Sequence, residues 1–212
     1  MGHNVAALVR LMLVTDDALV AGRDLLALAR AAERGGASAV QLRLKSASPR
    51  ELLVQARALV GGLTIPVLVN DRPDVAIAAG AAGVHLGPDD VPAGLVRRLA
   101  PPGFIIGASV GSAAEAADAQ SADYWGIGPW RSTETKGDAG AALGPDGFRQ
   151  LVGMAGGRPC VAVGGLRPQD VAQVRAAGGS GVAVVSGILR ENDVEAATRR
   201  YAAGLASRAD EV

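Results

Sequence analysis

Apolar and polar positions follow two alternating periods along the chain. Short apolar runs recur at 11–14, 39–45, 66–69, 83–86, 104–108, 124–127, 160–163 and 181–185. Between them, apolar residues repeat at helical spacing, as in Leu25, Leu28, Ala29 and Ala32. The expected helices cover 19–34, 49–60, 74–79, 91–99, 113–120, 147–154, 168–176 and 194–207. Start and stop signals agree with this reading. Ser48 and Pro49 form an N-cap and first-turn pair, and Gly35-Gly36 ends the first helix. Strand then helix, repeated with short connections, implies parallel pairing. Eight such units predict a single-domain α/β protein, a (β/α)8 TIM barrel spanning 1–212. Residues 1–10 precede the first strand and are expected to be a poorly ordered or helical extension. An open doubly wound sheet is the main rival, but no Gly-x-Gly-x-x-Gly follows the first strand.

The second strand breaks the apolar rule. In Gln41-Leu42-Arg43-Leu44-Lys45, the polar residues share one face and the leucines the other. Strands of a closed parallel sheet are normally apolar on both faces. Burying an amide and two cations without partners costs several kcal/mol, on the order of 2–7 for each neutral polar group. The polar face is therefore expected to turn into the barrel mouth, where active sites of this fold lie at strand C-termini. Asn70 and Asp71 follow the third strand, and His85 and Asp90 the fourth. Ser109 closes the fifth, Gly164-Gly165 the seventh, and Val185, Ser186 and Gly187 the eighth.

Asp71 and Asp90 end adjacent strands, about 4.8 Å apart. Two carboxylates without a His or Cys cluster suit a hard cation such as Mg²⁺, completed by water and substrate phosphate. Alternatively, Asp71 pairs with Arg72 or Arg43, and Asp90 caps the following helix. With Arg43, Lys45 and Lys136 nearby, the metal is the favoured reading. Gly164-Gly165 and Ser186-Gly187 are either a backbone cradle for phosphate or two tight turns. The loop over 128–143 carries Thr133, Glu134, Thr135 and Lys136. Its length suits a lid over an oxyanion, or a plain surface loop. His85 reads as a satisfied structural histidine before a catalytic base, Cys160 as a small core residue, and Trp125 and Trp130 as lid packing.

Composition narrows the classes. Lys plus Arg and Asp plus Glu number 21 each, so no global field attracts nucleic acid or an acidic membrane. One cysteine excludes an internal disulfide. No secretory signal or membrane-spanning run is expected, and a cytoplasmic location follows as the expectation. A homo-oligomer is left open. Metal and cations suit a diphosphate and the backbone cradle a monophosphate, so a reaction joining two phosphorylated small molecules, with diphosphate leaving, is the natural inference.

These motifs resemble thiamine-phosphate synthases over nearly the whole chain. The runs are Leu13-Val-Thr-Asp16, Gln41-Leu-Arg-Leu-Lys45, Val69-Asn-Asp-Arg72, Gly83-Val-His-Leu-Gly87 with Asp90, Thr133-Glu-Thr-Lys136, Val163-Gly-Gly165 and Val184-Val-Ser186. The resemblance implies that a pyrimidine methyl diphosphate joins a (carboxy)thiazole ethyl phosphate, after diphosphate departs. It implies that the 41–45 run (Gln41, Leu42, Arg43, Leu44 and Lys45), Asn70, Ser109 and Lys136 hold the pyrimidine diphosphate, with Lys136, Ser109 and Arg43 nearest the chemistry. Asp71 and Asp90 would hold Mg²⁺, and Thr133, Glu134, Thr135, Gly165, Val185 and Ser186 the thiazole phosphate. Three positions depart from the family pattern. Leu44 replaces an acidic residue, and Arg131-Ser132 an apolar-proline pair. Val110-Gly111 stands where a histidine is often near. Similar thiazole tautomerases use a histidine just after the strand-five serine, where Gly111 stands, so that activity is the runner-up. A non-catalytic barrel that binds thiazole or thiamine phosphate is the other alternative, against which the retained Asp71, Asp90 and Lys136 argue.

Overall fold

The computed structural model describes residues 4–132 and 140–206. Eight strands run in sequence order: β1 (Leu11–Val14), β2 (Ala39–Leu42), β3 (Val67–Asn70), β4 (Gly83–Leu86), β5 (Ile105–Val110), β6 (Tyr124–Ile127), β7 (Cys160–Val163) and β8 (Gly181–Val184). Each pairs in parallel with its neighbours, and β8 pairs back to β1, with Leu11 opposite Val182 and Leu13 opposite Val184. The expected (β/α)8 barrel is present. The helices are α1 (Val5–Leu8), α2 (Asp17–Val20), α3 (Leu25–Arg34), α4 (Pro49–Gly62), α5 (Pro73–Ala79) and α6 (Ala93–Leu99). They continue with α7 (Ala113–Asp118), α8 (Gly144–Met154), α9 (Val171–Ala176), α10 (Ser186–Leu189) and α11 (Val194–Ala206).

Strand alternation sorts the apolar residues into two packed layers. Leu13, Val40, Leu42, Val69, Val84, Ile106, Trp125 and Val182 face outward against the helices. Met12, Val14, Ala39, Leu68, Ile105, Tyr124, Val161 and Ala183 fill the barrel interior. The N-terminal segment is helical, and Leu8 and Val9 join that interior cluster. Trp125, expected to pack the lid, belongs to the outer layer, donating its indole N–H to the Ala119 carbonyl at 3.0 Å, and does not line the cavity among the described residues.

The expected helix over 19–34 is two helices. Gly22 adopts φ +70°, a left-handed conformation that interrupts the run. Asp24 then caps α3, its side chain accepting from the Ala27 amide at 3.0 Å. Arg23, in the gap, donates to the Leu189 carbonyl at 2.6 Å and ties this turn to α10. β2 ends at Leu42, before the expected 45, and β5 continues to Val110, so Ser109 lies inside a strand. Among the described residues, no helix is long and apolar enough to cross a membrane.

Candidate active site

A cavity of about 630 Å³ opens at the C-terminal ends of the strands, within the usual range for small-molecule sites. Gln41, Arg43 and Lys45 line it, as do Asn70, Asp71, Asp90 and Ser109. Gly165, Val185 and Ser186 line it from across the barrel. The structure therefore brings these predicted residues to one mouth. It does not bring the side chains of Leu42 and Leu44 there. Leu42 is fully buried in the outer layer and Leu44 packs beside it, because they occupy the alternate face of the chain. Thr133, Glu134, Thr135 and Lys136 lie outside the described residues.

The polar face of 41–45 is held by the segment after β1. The Arg43 amide donates to the Thr15 hydroxyl at 2.7 Å, and Thr15 is fully buried. The Arg43 guanidinium meets an Asp16 oxygen at 3.4 Å, and Asp17 accepts from the Lys45 amide at 2.8 Å. These acids stand after the first strand and were not counted among the mouth groups by sequence. Gathering every strand end, β1 included, finds them. They do not line the cavity themselves; they hold the 41–45 segment from behind.

Asp71 and Asp90 meet as their spacing predicts, and neither alternative pairing forms. Arg72 instead binds Asp74, with Nε to Oδ1 at 2.9 Å. Asp90 closes its own turn, accepting from the Gly87 amide at 2.6 Å. Among the described residues, Asp71 is the one non-glycine with positive φ, at 62°. That conformation is sparsely populated for side-chain-bearing residues, and its cost concentrates at functional sites. It lets the Asp71 amide reach the His85 carbonyl at 2.8 Å. Burial and the Asp90 carboxylate raise the Asp71 carboxyl to about 6, against the pull of Lys45 and Arg43. The Lys45 ammonium stands 3.7 Å away.

The turns after β7 and β8 form the far wall. Gly164 and Gly165 have φ +94° and +64°, and a methyl group on either would come within 2.8 Å of Pro129 Cβ or Arg131 Cβ. The loop after β6 lies directly over this turn, with the Trp130 amide donating to the Val163 carbonyl at 2.8 Å. Trp130 is buried and packs edge-on against Phe148 of α8, 5.5 Å between centroids. It anchors the base of the loop on α8. Cys160 is buried, and burial pushes its thiol up to about 11, which fits a core residue.

His85 points into the barrel. Its Nδ1 lies 2.9 Å from the Tyr124 hydroxyl and its Nε2 3.0 Å from the Ser109 hydroxyl. Tyr124 is the other group missed by sequence. Its inward position in β6 was readable, but its partners come from other strands.

Residues 11–188 match the family model for thiamine monophosphate synthase. The thiamine-phosphate synthase of Methanoculleus marisnigri is 48% identical over 89% of this chain and 92% of its own. That of Xanthobacter autotrophicus is also 48% identical, over 93% of this chain and 96% of its own. The solved thiamine phosphate pyrophosphorylase of Pyrococcus furiosus superposes with a TM-score of 0.85 at 34% identity, covering 95% of this chain and 98% of its own. The match reaches from β1 to the turn after β8 and includes the whole cavity wall, so the chain belongs to the thiamine monophosphate synthase family.

Proposed function

We propose that this enzyme condenses an aminopyrimidine methyl diphosphate with a thiazole ethyl phosphate, giving thiamine phosphate and diphosphate. The observation that carries this reading is the division of the mouth. One wall holds Arg43, Lys45, Asp71 and Asp90, and the facing wall holds the Gly164-Gly165 turn with Val185 and Ser186. The first wall suits a diphosphate with a divalent ion, and the second a monophosphate contacted by backbone.

The donor set fits Mg²⁺. Asp71 is half-buried beside a second carboxylate, and its carboxyl is raised first by burial and then by Asp90, a cost that the Lys45 ammonium does not offset and a divalent ion would. Among the described residues no group of three or more His, Cys, Asp or Glu forms, so substrate oxygens and water would complete the shell. When bound, the ion stabilises negative charge growing on the departing diphosphate. The chain's own residues do the rest. Arg43 and Lys45 neutralise the same charge; the Arg43 guanidinium is already set against Asp16, and Asp17 holds the backbone at Lys45 before substrate arrives. Asn70 and Ser109 supply neutral hydrogen bonds at the same wall. The facing wall holds the thiazole so that its ring nitrogen captures the pyrimidine methylene carbon as diphosphate leaves.

The test is incubation of both phosphorylated precursors with the purified enzyme, with Mg²⁺ or with EDTA, and quantification of thiamine phosphate. Product formed only with metal is expected. Failure to form product under either condition sinks the reading, and isomerisation of the thiazole alone would assign a tautomerase instead.

A further inference from the structure

A line of polar side chains crosses the barrel beneath the mouth. His85, Gly107 and Tyr124 are neighbours at one level of β4, β5 and β6. Gly107 leaves the space that the tyrosine ring occupies: a methyl group there would sit 2.2 Å from Tyr124 Cζ. The ring therefore reaches over β5 to His85, whose other nitrogen reaches Ser109. Gly126 gives room on the far side, since a methyl group there would sit 2.9 Å from His85 Cε1. Gln41 of β2 stands beside the Tyr124 hydroxyl and holds the phenol lower than burial alone would, as an amide N–H turned toward it does. Gln41, His85 and Tyr124 are all buried, and the described residues contain no buried side-chain polar atom without a partner. Both ends of the line, Gln41 and Ser109, face the cavity.

Such a line has a direction. A phenol and a neutral imidazole each carry one hydrogen-bonding proton. If the Ser109 O–H points inward to His85 Nε2, then Nδ1–H donates to Tyr124, and Tyr124 donates to the Gln41 carbonyl. Gln41 then shows its amide N–H groups to the cavity. If the Ser109 O–H points outward, every bond reverses. His85 Nε2–H donates to Ser109, Tyr124 donates to Nδ1, and Gln41 N–H donates to Tyr124. Gln41 then shows its carbonyl oxygen to the cavity. An anion against Ser109 accepts only the second sense.

We infer that Gln41, Tyr124, His85 and Ser109 act as one polarised relay, in which the diphosphate on Ser109 fixes the Gln41 carbonyl toward the pyrimidine and selects an amino-bearing ring over its oxo counterpart. This rests on the function proposed above. Tyr124 and His85 are positioning residues in it. Sites that use buried polar groups to read a substrate's hydrogen-bonding group discriminate strongly. Without the Tyr124 hydroxyl, the Gln41 amide is free to turn and accept either ring.

The experiment compares kcat/KM for the aminopyrimidine methyl diphosphate and its 4-oxo analogue in the wild type and in Tyr124→Phe. The wild type is expected to prefer the amino ring by on the order of 100-fold or more, and the variant to lose at least about tenfold of that preference. Equal losses on both substrates, leaving the ratio unchanged, overturn the relay, as does a wild type that does not discriminate. A second measurement needs neither turnover nor a variant. Two-bond ¹H–¹⁵N spectra of wild-type enzyme bound to inorganic diphosphate should show His85 protonated at Nε2 alone. Protonation at Nδ1, or at both nitrogens, overturns the proposal. If the wild type makes no thiamine phosphate, the synthase reading fails, and the histidine spectrum still decides the relay.

Discussion

Arg131 and Asp170 form a two-pronged ion pair between the loop after β6 and the segment after β7. Arg131 Nε lies 3.1 Å from Asp170 Oδ2, and Nη2 binds the other oxygen. Asp170 is 1% exposed, and its Oδ2 also accepts from the Arg167 amide at 2.9 Å. The pair gives Arg131, which departs from the family pattern, a structural partner. It clamps the root of the loop onto the Gly164-Gly165 turn.

Arg131→Met removes one partner of a buried carboxylate. The Arg131 side chain is partly solvated and the Arg167 amide remains, so a modest loss of stability is expected. Burial pushes the Asp170 carboxyl up, but Arg131 and the Arg167 amide outweigh it and hold the carboxyl below its ordinary value. A lowered carboxyl contributes stability that is present above the unfolded value and lost as pH falls through the folded one. Urea midpoints should therefore differ between wild type and variant at neutral pH and converge as pH falls below the ordinary carboxylate range. A difference that stays constant with pH would show that the pair is not its source.

Asp71 has the opposite sign. Its folded carboxyl, at about 6, lies above the ordinary value of 3.8, so the folded state binds the extra proton between those values. Stability from this group is highest below the unfolded value and falls as pH rises toward the folded one. At neutral pH the ionised Asp71 costs the metal-free enzyme on the order of 1–3 kcal/mol. Asp71→Asn is expected to raise Tm in EDTA at neutral pH and to abolish any rise on adding Mg²⁺. Thermal shifts with and without metal check both, and an unchanged or lowered Tm in EDTA contradicts the electrostatic argument.

Gly107→Ala places a methyl group inside the Tyr124 ring's space, and overpacking should cost about 3 kcal/mol. Adding Tyr124→Leu should restore part of that loss. A double-mutant cycle measures the coupling, expected at about 1–3 kcal/mol. Additive losses would place the clash elsewhere.

Gly165→Ala forces a side chain into a left-handed turn and against Arg131 Cβ. Kinetically, it should raise KM for the thiazole phosphate about tenfold, equivalent to ~1.4 kcal/mol, and leave KM for the pyrimidine diphosphate within about twofold. A matched rise in both would mean that the turn serves the whole mouth and not one substrate.

The barrel and much of its mouth were legible because strand alternation and the closed sheet leave one place for Gln41, Arg43 and Lys45. The Asp71–Asp90 pair was legible for the same reason, since adjacent strand ends are close in any parallel barrel. The break at Gly22 was not read, because apolar periodicity over 19–34 masked the Asp24 cap that starts α3. Tyr124 and His85 were readable as inward residues, but their meeting depends on Gly107, a third strand's missing side chain. Arg131 and Asp170 are 39 residues apart, and only the folded turn after β7 makes them neighbours.

The β1–β8 seam has a consequence for the chain as it is made. Met12 of β1 emerges before the other seven strands, and its partner Ala183 of β8 after all of them. Until then the nascent sheet keeps two open edges, at β1 and β7, which are templates for pairing with other chains. Long-range pairing of this kind is also slow to find. The strand that removes both edges is followed at once by Val185 and Ser186, which complete the cavity wall. Protection from aggregation and a finished active site thus arrive with the same few residues, and a ribosome stalled before β8 releases neither.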